Sequence, residues 1–136
     1  MPFRTELITG WIRGTNDVAL YQPLIYWDNR TKQEFAFDTG SRSNGASIPR
    51  IPLLWTIIGH PWDGDYRDGA VLHDLLYRNL VAEGAMKKIV ADQMFYDAIR
   101  ELGCPEWKAQ LMYQAVRRFG RARTQQELDL AKGIIT

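Results

Sequence analysis

The sequence predicts an α+β domain in which a β-rich first part is followed by a helical part. Between residues 18 and 38, two β-prone runs flank a polar turn, which is typical of a β-hairpin. From residue 51 onward, apolar residues recur every three or four positions, which is typical of amphipathic helices. The 136 residues match one domain by length. We therefore expect a single domain over residues 1–136, with a β-rich region over 1–40, a loop over 41–50 and a helical region over 51–136.

The β-rich region is predicted to contain a hairpin and one further strand. Residues 18–27 are rich in β-branched, leucine and aromatic side chains, residues 28–31 have turn chemistry, and residues 33–38 alternate polar and apolar side chains. Pro23 indicates an edge or a bulge, because proline has no N–H to donate to a sheet. Residues 7–13 add a third candidate strand. A small antiparallel sheet is therefore expected.

The helical region is predicted to contain three or four helices. Asp68 is placed to cap a helix, and Gly84 and Gly103 are placed to separate or end helices. The three longer predicted helices cover residues 68–80, 85–102 and 105–119. Shorter helical segments are predicted over residues 52–58 and after the capping box of Thr124 and Glu127.

Composition excludes several classes of protein. The formal net charge is +1, so there is no strong signal for nucleic-acid binding. Cys104 is the one cysteine, which excludes an internal disulfide and a cysteine-based zinc site and suits a reducing compartment. The N-terminus lacks the apolar core of a secretion signal, and no run of about 18 apolar residues predicts a transmembrane segment. Four arginines near the C-terminus are predicted to be a solvated helix end, with an anion-binding patch as the alternative: Arg117, Arg118, Arg121 and Arg123.

Polar residues interrupt two otherwise apolar helical segments. Residues 70–77 are apolar nearly all round, yet they contain His73, Asp74 and Tyr77. His73 and Tyr77 are four positions apart and share a face, whereas Asp74 points about 100° away. Asp92 lies on the apolar stripe of the next helix, and the short connection predicts that the two helices are antiparallel neighbours. His73 and Tyr77 are therefore the expected hydrogen-bond donors to Asp92.

Two interpretations of this cluster stay open at the level of sequence. In the first, Asp92 fixes the tautomer of His73, which then accepts a proton as a general base, and Asp74 holds a cation. In the second, Asp92 only ties two helices together through His73 and Tyr77.

Two loops are candidates to complete the site. The first carries small polar groups and a glycine that permits close backbone approach: Asn44, Gly45 and Ser47. The second, over residues 63–69, contains three carboxylates, but it lacks the EF-hand spacing and is predicted to be a turn with a helix cap. His60 has no predicted partner, and Ser47 lacks the Gly-x-Ser-x-Gly context of a nucleophilic serine.

Four short segments, in order along the chain, form a combined pattern: residues 44–50 (NGASIPR), 70–77 (AVLHDLLY), 91–95 (ADQMF) and 113–120 (YQAVRRFG). Together they resemble a phage and prophage family of unknown function, DUF1353. The family usually has aspartate at the position of Asn44. The resemblance implies a phage origin and supplies no settled activity.

The helix pair is also similar to the catalytic pair of phospholipase A2 enzymes. The similarity lies in His73, Asp74 and Tyr77 on one helix and Asp92 with the residues after it on the next. It implies that His73 is the general base, that Asp92 orients it, that Tyr77 bonds to Asp92, and that Asp74 binds calcium.

Together these observations predict a phage-encoded protein that uses its His/Asp site to hydrolyse lipid-like esters in a calcium-dependent reaction. The alternative is a non-enzymatic tail or baseplate component, or an inhibitor of a host defence protein, in which the cluster is structural. A third hypothesis is the binding of a nucleotide or another anion through Arg50, Arg67 and the arginines after Val116. The expected partners are the virion or a host protein, and the expected location is the virion or the infected-host cytoplasm.

Overall fold

In the computed structural model of the chain, the described residues are 3–15, 17–43 and 67–119. Within them, five strands precede three α-helices, so the predicted α+β class is confirmed. The strands are β1 (Thr9–Trp11), β2 (Val18–Leu20), β3 (Leu24–Asp28), β4 (Gln33–Phe37) and β5 (Arg42–Ser43). The helices are α1 (Arg67–Leu76), α2 (Lys88–Glu101) and α3 (Glu106–Phe119), with a π-helical turn (Tyr77–Val81) continuing α1. The predicted helix over 52–58 and the capping box at Thr124 and Glu127 lie outside the described residues.

The predicted hairpin is confirmed as β3 and β4, which pair antiparallel from Leu24 opposite Phe37 to Asp28 opposite Gln33. Asp28 closes the turn, because its Oδ2 accepts bonds from the Thr31 amide at 3.1 Å and the Thr31 hydroxyl at 2.7 Å. The turn is therefore held by its own side chains, as its polar composition predicts.

The single strand predicted over residues 18–27 is corrected by the structure, which has two strands there in different sheets. β2 pairs with β1 and β5 in a three-stranded sheet, whereas β3 pairs with β4. The break contains Pro23, which cannot donate to a sheet ladder. The strand predicted over residues 7–13 is confirmed as the shorter β1.

The helices also begin and end differently from the prediction. Asp68 lies inside the first turn of α1 and not before it. The α-helical hydrogen bonds stop at Leu76, and in the π-helical turn the Ala82 amide bonds to the Tyr77 carbonyl at 2.8 Å, five residues back. Gly84, at a φ of 80°, then turns the chain, so α2 begins at Lys88 and not at residue 85. None of the helices in the described ranges is long and apolar enough to cross a membrane.

Two buried apolar clusters hold the sheets and helices together. One lies between the strands and the inner faces of α1 and α2 and includes Tyr26, Leu72 and Met94. The other joins α1, α2 and α3 through residues such as Phe95 and Met112. Because α2 contributes to both clusters, its inward face is fully enclosed, and that face also carries Asp92.

The predicted antiparallel helices α1 and α2 approach each other closely where the start of α1 meets the end of α2. A Cβ on Gly69 would lie 2.5 Å from the Ile99 Cγ2 atom, so only glycine permits this approach without a shift. The hairpin is joined to α2, because the Arg30 guanidinium binds the Asp97 carboxylate through two hydrogen bonds of 2.6 and 3.0 Å. These contacts set the position of α2 relative to α1 and to the hairpin.

Candidate functional site

The cluster predicted from sequence forms between α1 and α2. The His73 Nε2 atom lies 2.7 Å from the Asp92 Oδ1 atom, and the Tyr77 hydroxyl donates a hydrogen bond to the same oxygen. The rings of His73 and Tyr77 pack with centroids 4.1 Å apart, as expected for positions one helical turn apart. On its other side, the His73 ring packs 4.9 Å from the Phe95 ring. The three residues predicted to meet are therefore brought together.

The second oxygen of Asp92 binds two cations that the sequence analysis did not assign to the site. The Asp92 Oδ2 atom lies 2.9 Å from the Lys88 Nζ atom and 2.8 Å from the Arg117 Nη1 atom. Lys88 stands four residues before Asp92 on α2, a spacing that predicts such a pair. Arg117 comes from the last turn of α3, and only the packing of α3 against α2 brings it to Asp92.

Lys88 also binds the C-terminal end of α3. Its Nζ atom donates to the carbonyl oxygen of Val116 at 2.6 Å and to that of Arg117 at 3.1 Å. These carbonyls lie in the last turn of α3, where intrahelical donors run out and a cation is favourable. One ammonium group therefore stabilises both the Asp92 carboxylate and the end of α3.

The electrostatics of the pair favour a neutral imidazole beside an ionised carboxylate. Burial lowers the pKa of His73 and outweighs the hydrogen bond that His73 donates to Asp92, which acts in the opposite direction. Burial opposes ionisation of Asp92, but hydrogen bonds from His73, Tyr77 and Lys88 outweigh it and hold the pKa of the carboxyl below its usual range. Burial and the bond to Asp92 raise the pKa of Tyr77, so its hydroxyl remains a donor. The geometry therefore assigns the His73 proton to Nε2, facing Asp92.

Asp74 points away from this cluster, as predicted, but its charge is compensated. Its Oδ2 atom lies 3.3 Å from the Arg78 Nε atom, and both side chains are buried. Arg78 in turn donates to the Arg42 carbonyl at 3.1 Å, which links α1 to β5. Within the described ranges, no three histidine, cysteine or acidic side chains converge as metal ligands. The described residues by themselves therefore do not fit a calcium site, and the role of Asp74 as a cation ligand stays a prediction.

Calcium is expected to leave the thermal stability of the protein unchanged, because Arg78 already neutralises Asp74 in a buried pair. Thermal melting in millimolar calcium chloride, in magnesium chloride and in a chelator measures this directly. A rise in Tm that is specific to calcium would contradict the expectation and would restore Asp74 as a ligand.

The cluster is closed to solvent on its inner side. The side chains of His73 and Asp92 are both 0% exposed, whereas those of Lys88 and Arg117 are 31% and 32% exposed. Three clefts of about 220, 430 and 300 Å³ are lined by described residues, and His73 lines none of these three. The loop residues predicted to complete the site, Asn44, Gly45 and Ser47, lie outside the described residues, as does His60.

The sequence matches a family described as "Protein of unknown function (DUF1353)" over residues 18–116. The chain belongs to this family. The DUF1353 match contains His73, Tyr77, Lys88 and Asp92, and Arg117 follows its last residue directly.

Two uncharacterized proteins of Sinorhizobium fredii are similar to this DUF1353 chain. One, y4jT, is 34% identical over 96 residues, which is 69% of this chain and 26% of the relative. The other, y4iH, is 36% identical over 80 residues, which is 59% of this chain and 31% of the relative. The chain thus spans less than a third of the length of either relative. No solved structure matches the chain, so the resemblance of the helix pair to phospholipase A2 stays a prediction.

Proposed function

We propose that this DUF1353 protein is a hydrolase of ester substrates in which His73 acts as the general base. The observation that carries the proposal is the 2.7 Å contact between the His73 Nε2 atom and the Asp92 Oδ1 atom. A carboxylate that holds the proton of one ring nitrogen makes the other nitrogen, Nδ1, the acceptor. This is the orientation that a histidine base requires.

In the proposed reaction, the Nδ1 atom of His73 takes a proton from a water molecule as the water oxygen attacks the ester carbonyl carbon. The imidazolium that forms is stabilised by the Asp92 carboxylate, which keeps its charge because Tyr77 and Lys88 donate to it. The same proton then passes from Nδ1 to the departing alkoxide as the ester C–O bond breaks. Water is the only co-reactant that this step consumes.

The neutral state of His73 supports this assignment. Burial lowers the pKa of His73, so its imidazole is unprotonated near neutral pH and can accept a proton. Complete burial also sets a requirement. Because His73 is 0% exposed, the ester group must reach it through an opening of the surrounding structure.

The lipid-like character of the substrate and the phage origin of the protein belong to the proposal and come from the two resemblances. The proposal of a neutral ester substrate is supported by the two cations of the cluster, Lys88 and Arg117, because both already bind Asp92.

Replacing His73 with glutamine is expected to reduce ester hydrolysis about a hundredfold or more, because the amide cannot act as a base. The assay uses p-nitrophenyl butyrate and vesicles of phosphatidylcholine, with circular dichroism to confirm that the variant is folded. The matched control is His60→Gln, which changes the other histidine in the chain and should keep its turnover. Equal turnover by the His73→Gln variant and the original protein would refute the proposal.

A second candidate is a non-enzymatic phage protein, either a virion component or an inhibitor of a host protein, in which the cluster is structural. One specific observation favours it: the fully buried Asp92 accepts bonds from side chains of α1, α2, α3 and the π-helical turn, as an interhelical clamp would. In the same experiment, this candidate predicts that the original protein hydrolyses neither ester and that His73→Gln lowers only the stability.

A further inference from the structure

The two oxygens of Asp92 bind different kinds of partner. The Oδ1 atom contacts His73 and Tyr77, which are uncharged donors in the buried cluster. The Oδ2 atom contacts Lys88 and Arg117, which are cations on two different helices. The carboxylate therefore separates the imidazole on its inner side from the two positive charges on its partly exposed side.

This division matters because a fully buried carboxylate needs a countercharge to remain ionised. A neutral His73 supplies a hydrogen bond and no net charge. Among the described groups around the pair, the Tyr77 phenol is protonated, and Asp74 on α1 carries a negative charge that Arg78 compensates. The positive charges in direct contact with Asp92 are those of Lys88 and Arg117.

We infer that Lys88 and Arg117 are positioning residues that hold Asp92 as a carboxylate, so that His73 stays neutral with its proton on Nε2. Without them, the charge of Asp92 is balanced by a second proton on His73. A doubly protonated imidazole can donate protons but cannot accept one, so the base is lost. The catalytic consequence rests on the proposed hydrolase function, whereas the charge state of His73 does not.

The charge state of the site also depends on the docking of α3. Arg117 lies on α3, and Lys88 is held in place by the carbonyls of Val116 and Arg117. Displacement of the last turn of α3 would remove one cation and release the other.

The experiment is nitrogen NMR of the His73 ring near neutral pH, with the His60→Gln variant used to assign the signals of the two histidines. In the original protein, we expect one protonated and one unprotonated ring nitrogen. In the double variant Lys88→Met with Arg117→Met, we expect both ring nitrogens to be protonated. Methionine keeps the apolar stem of each side chain and removes its charge. The conservative pair Lys88→Arg and Arg117→Lys should restore the pattern of the original protein.

The controls are the neighbouring cations Lys87 and Arg118, which are exposed and should leave the His73 signals unchanged when replaced by methionine. If the double variant does not fold, the same NMR measurement is made on the single variants Lys88→Met and Arg117→Met. Each should raise the pH at which the second proton leaves His73, by about half a unit or more. Unchanged His73 signals in the folded variants, or an equal effect of the controls, would overturn the inference. Absence of ester hydrolysis in the original protein would overturn only the proposed function.

Discussion

Replacing Asp92 with asparagine is expected to lower the free energy of unfolding by about 3 kcal/mol. The amide has the shape of the carboxylate but no charge, so Lys88 and Arg117 lose the group that neutralises them. Tyr77 and His73 lose their charged acceptor at the same time. The effect lies near the low end for broken buried ion pairs, because both cations are about one third exposed and water can solvate them.

Urea unfolding followed by circular dichroism measures this effect. The matched control is Asp97→Asn on the same helix, where the carboxylate binds the half-exposed Arg30. A surface pair of this kind contributes about 1 kcal/mol or less. If the two variants lose the same stability, Asp92 is not the anchor of the helix bundle that its contacts indicate.

Acidification is expected to destabilise the protein in two stages. His73 has its pKa lowered by burial, so below its unfolded-state pKa of about 6.5 the unfolded chain binds a proton that the native protein does not. Stability therefore falls as the pH drops below that value. Asp92 also has a lowered pKa, because its hydrogen bonds outweigh the effect of burial, so a second loss begins below the unfolded-state value of about 3.9. Each group can contribute a slope approaching about 1.4 kcal/mol per pH unit.

Urea unfolding at a series of pH values between weakly alkaline and acidic conditions tests this prediction. The His73→Gln variant should lose the first stage and keep the second, whereas His60→Gln serves as the control for the other histidine. Stability that stays constant from neutral pH down to about pH 5 would show that His73 does not stay neutral in the folded protein.

Local chemistry explains why much of the fold could be predicted from the sequence. The β3–β4 hairpin follows from two β-prone runs around a turn whose Asp28 side chain binds Thr31. The extent of the first run was less predictable, because the break at Pro23 separates strands that pair with partners elsewhere in the chain. The predicted start of α2 was also wrong. The π-helical turn and the turn at Gly84 place residues with good helix propensity outside α2.

The central contact of the site was also predictable. His73 and Tyr77 share a helical face by their spacing, and Asp92 lies on the apolar stripe of the next helix. A polar side chain on a buried face needs a partner, and a short connection between helices limits where that partner can be. Spacing and burial were therefore sufficient to predict the His73–Asp92 contact that the structure confirms.

What the sequence determined by itself is thus the identity of the buried polar groups and the pairing of α1 with α2, because both follow from periodicity within neighbouring segments. What only the tertiary structure decided is the charge around them. Arg117 reaches Asp92 from 25 residues away, and Arg78 bridges Asp74 and β5. These ionic contacts depend on how α3 and the strands pack against the helix pair, and that packing is set by shape and burial summed over the whole core.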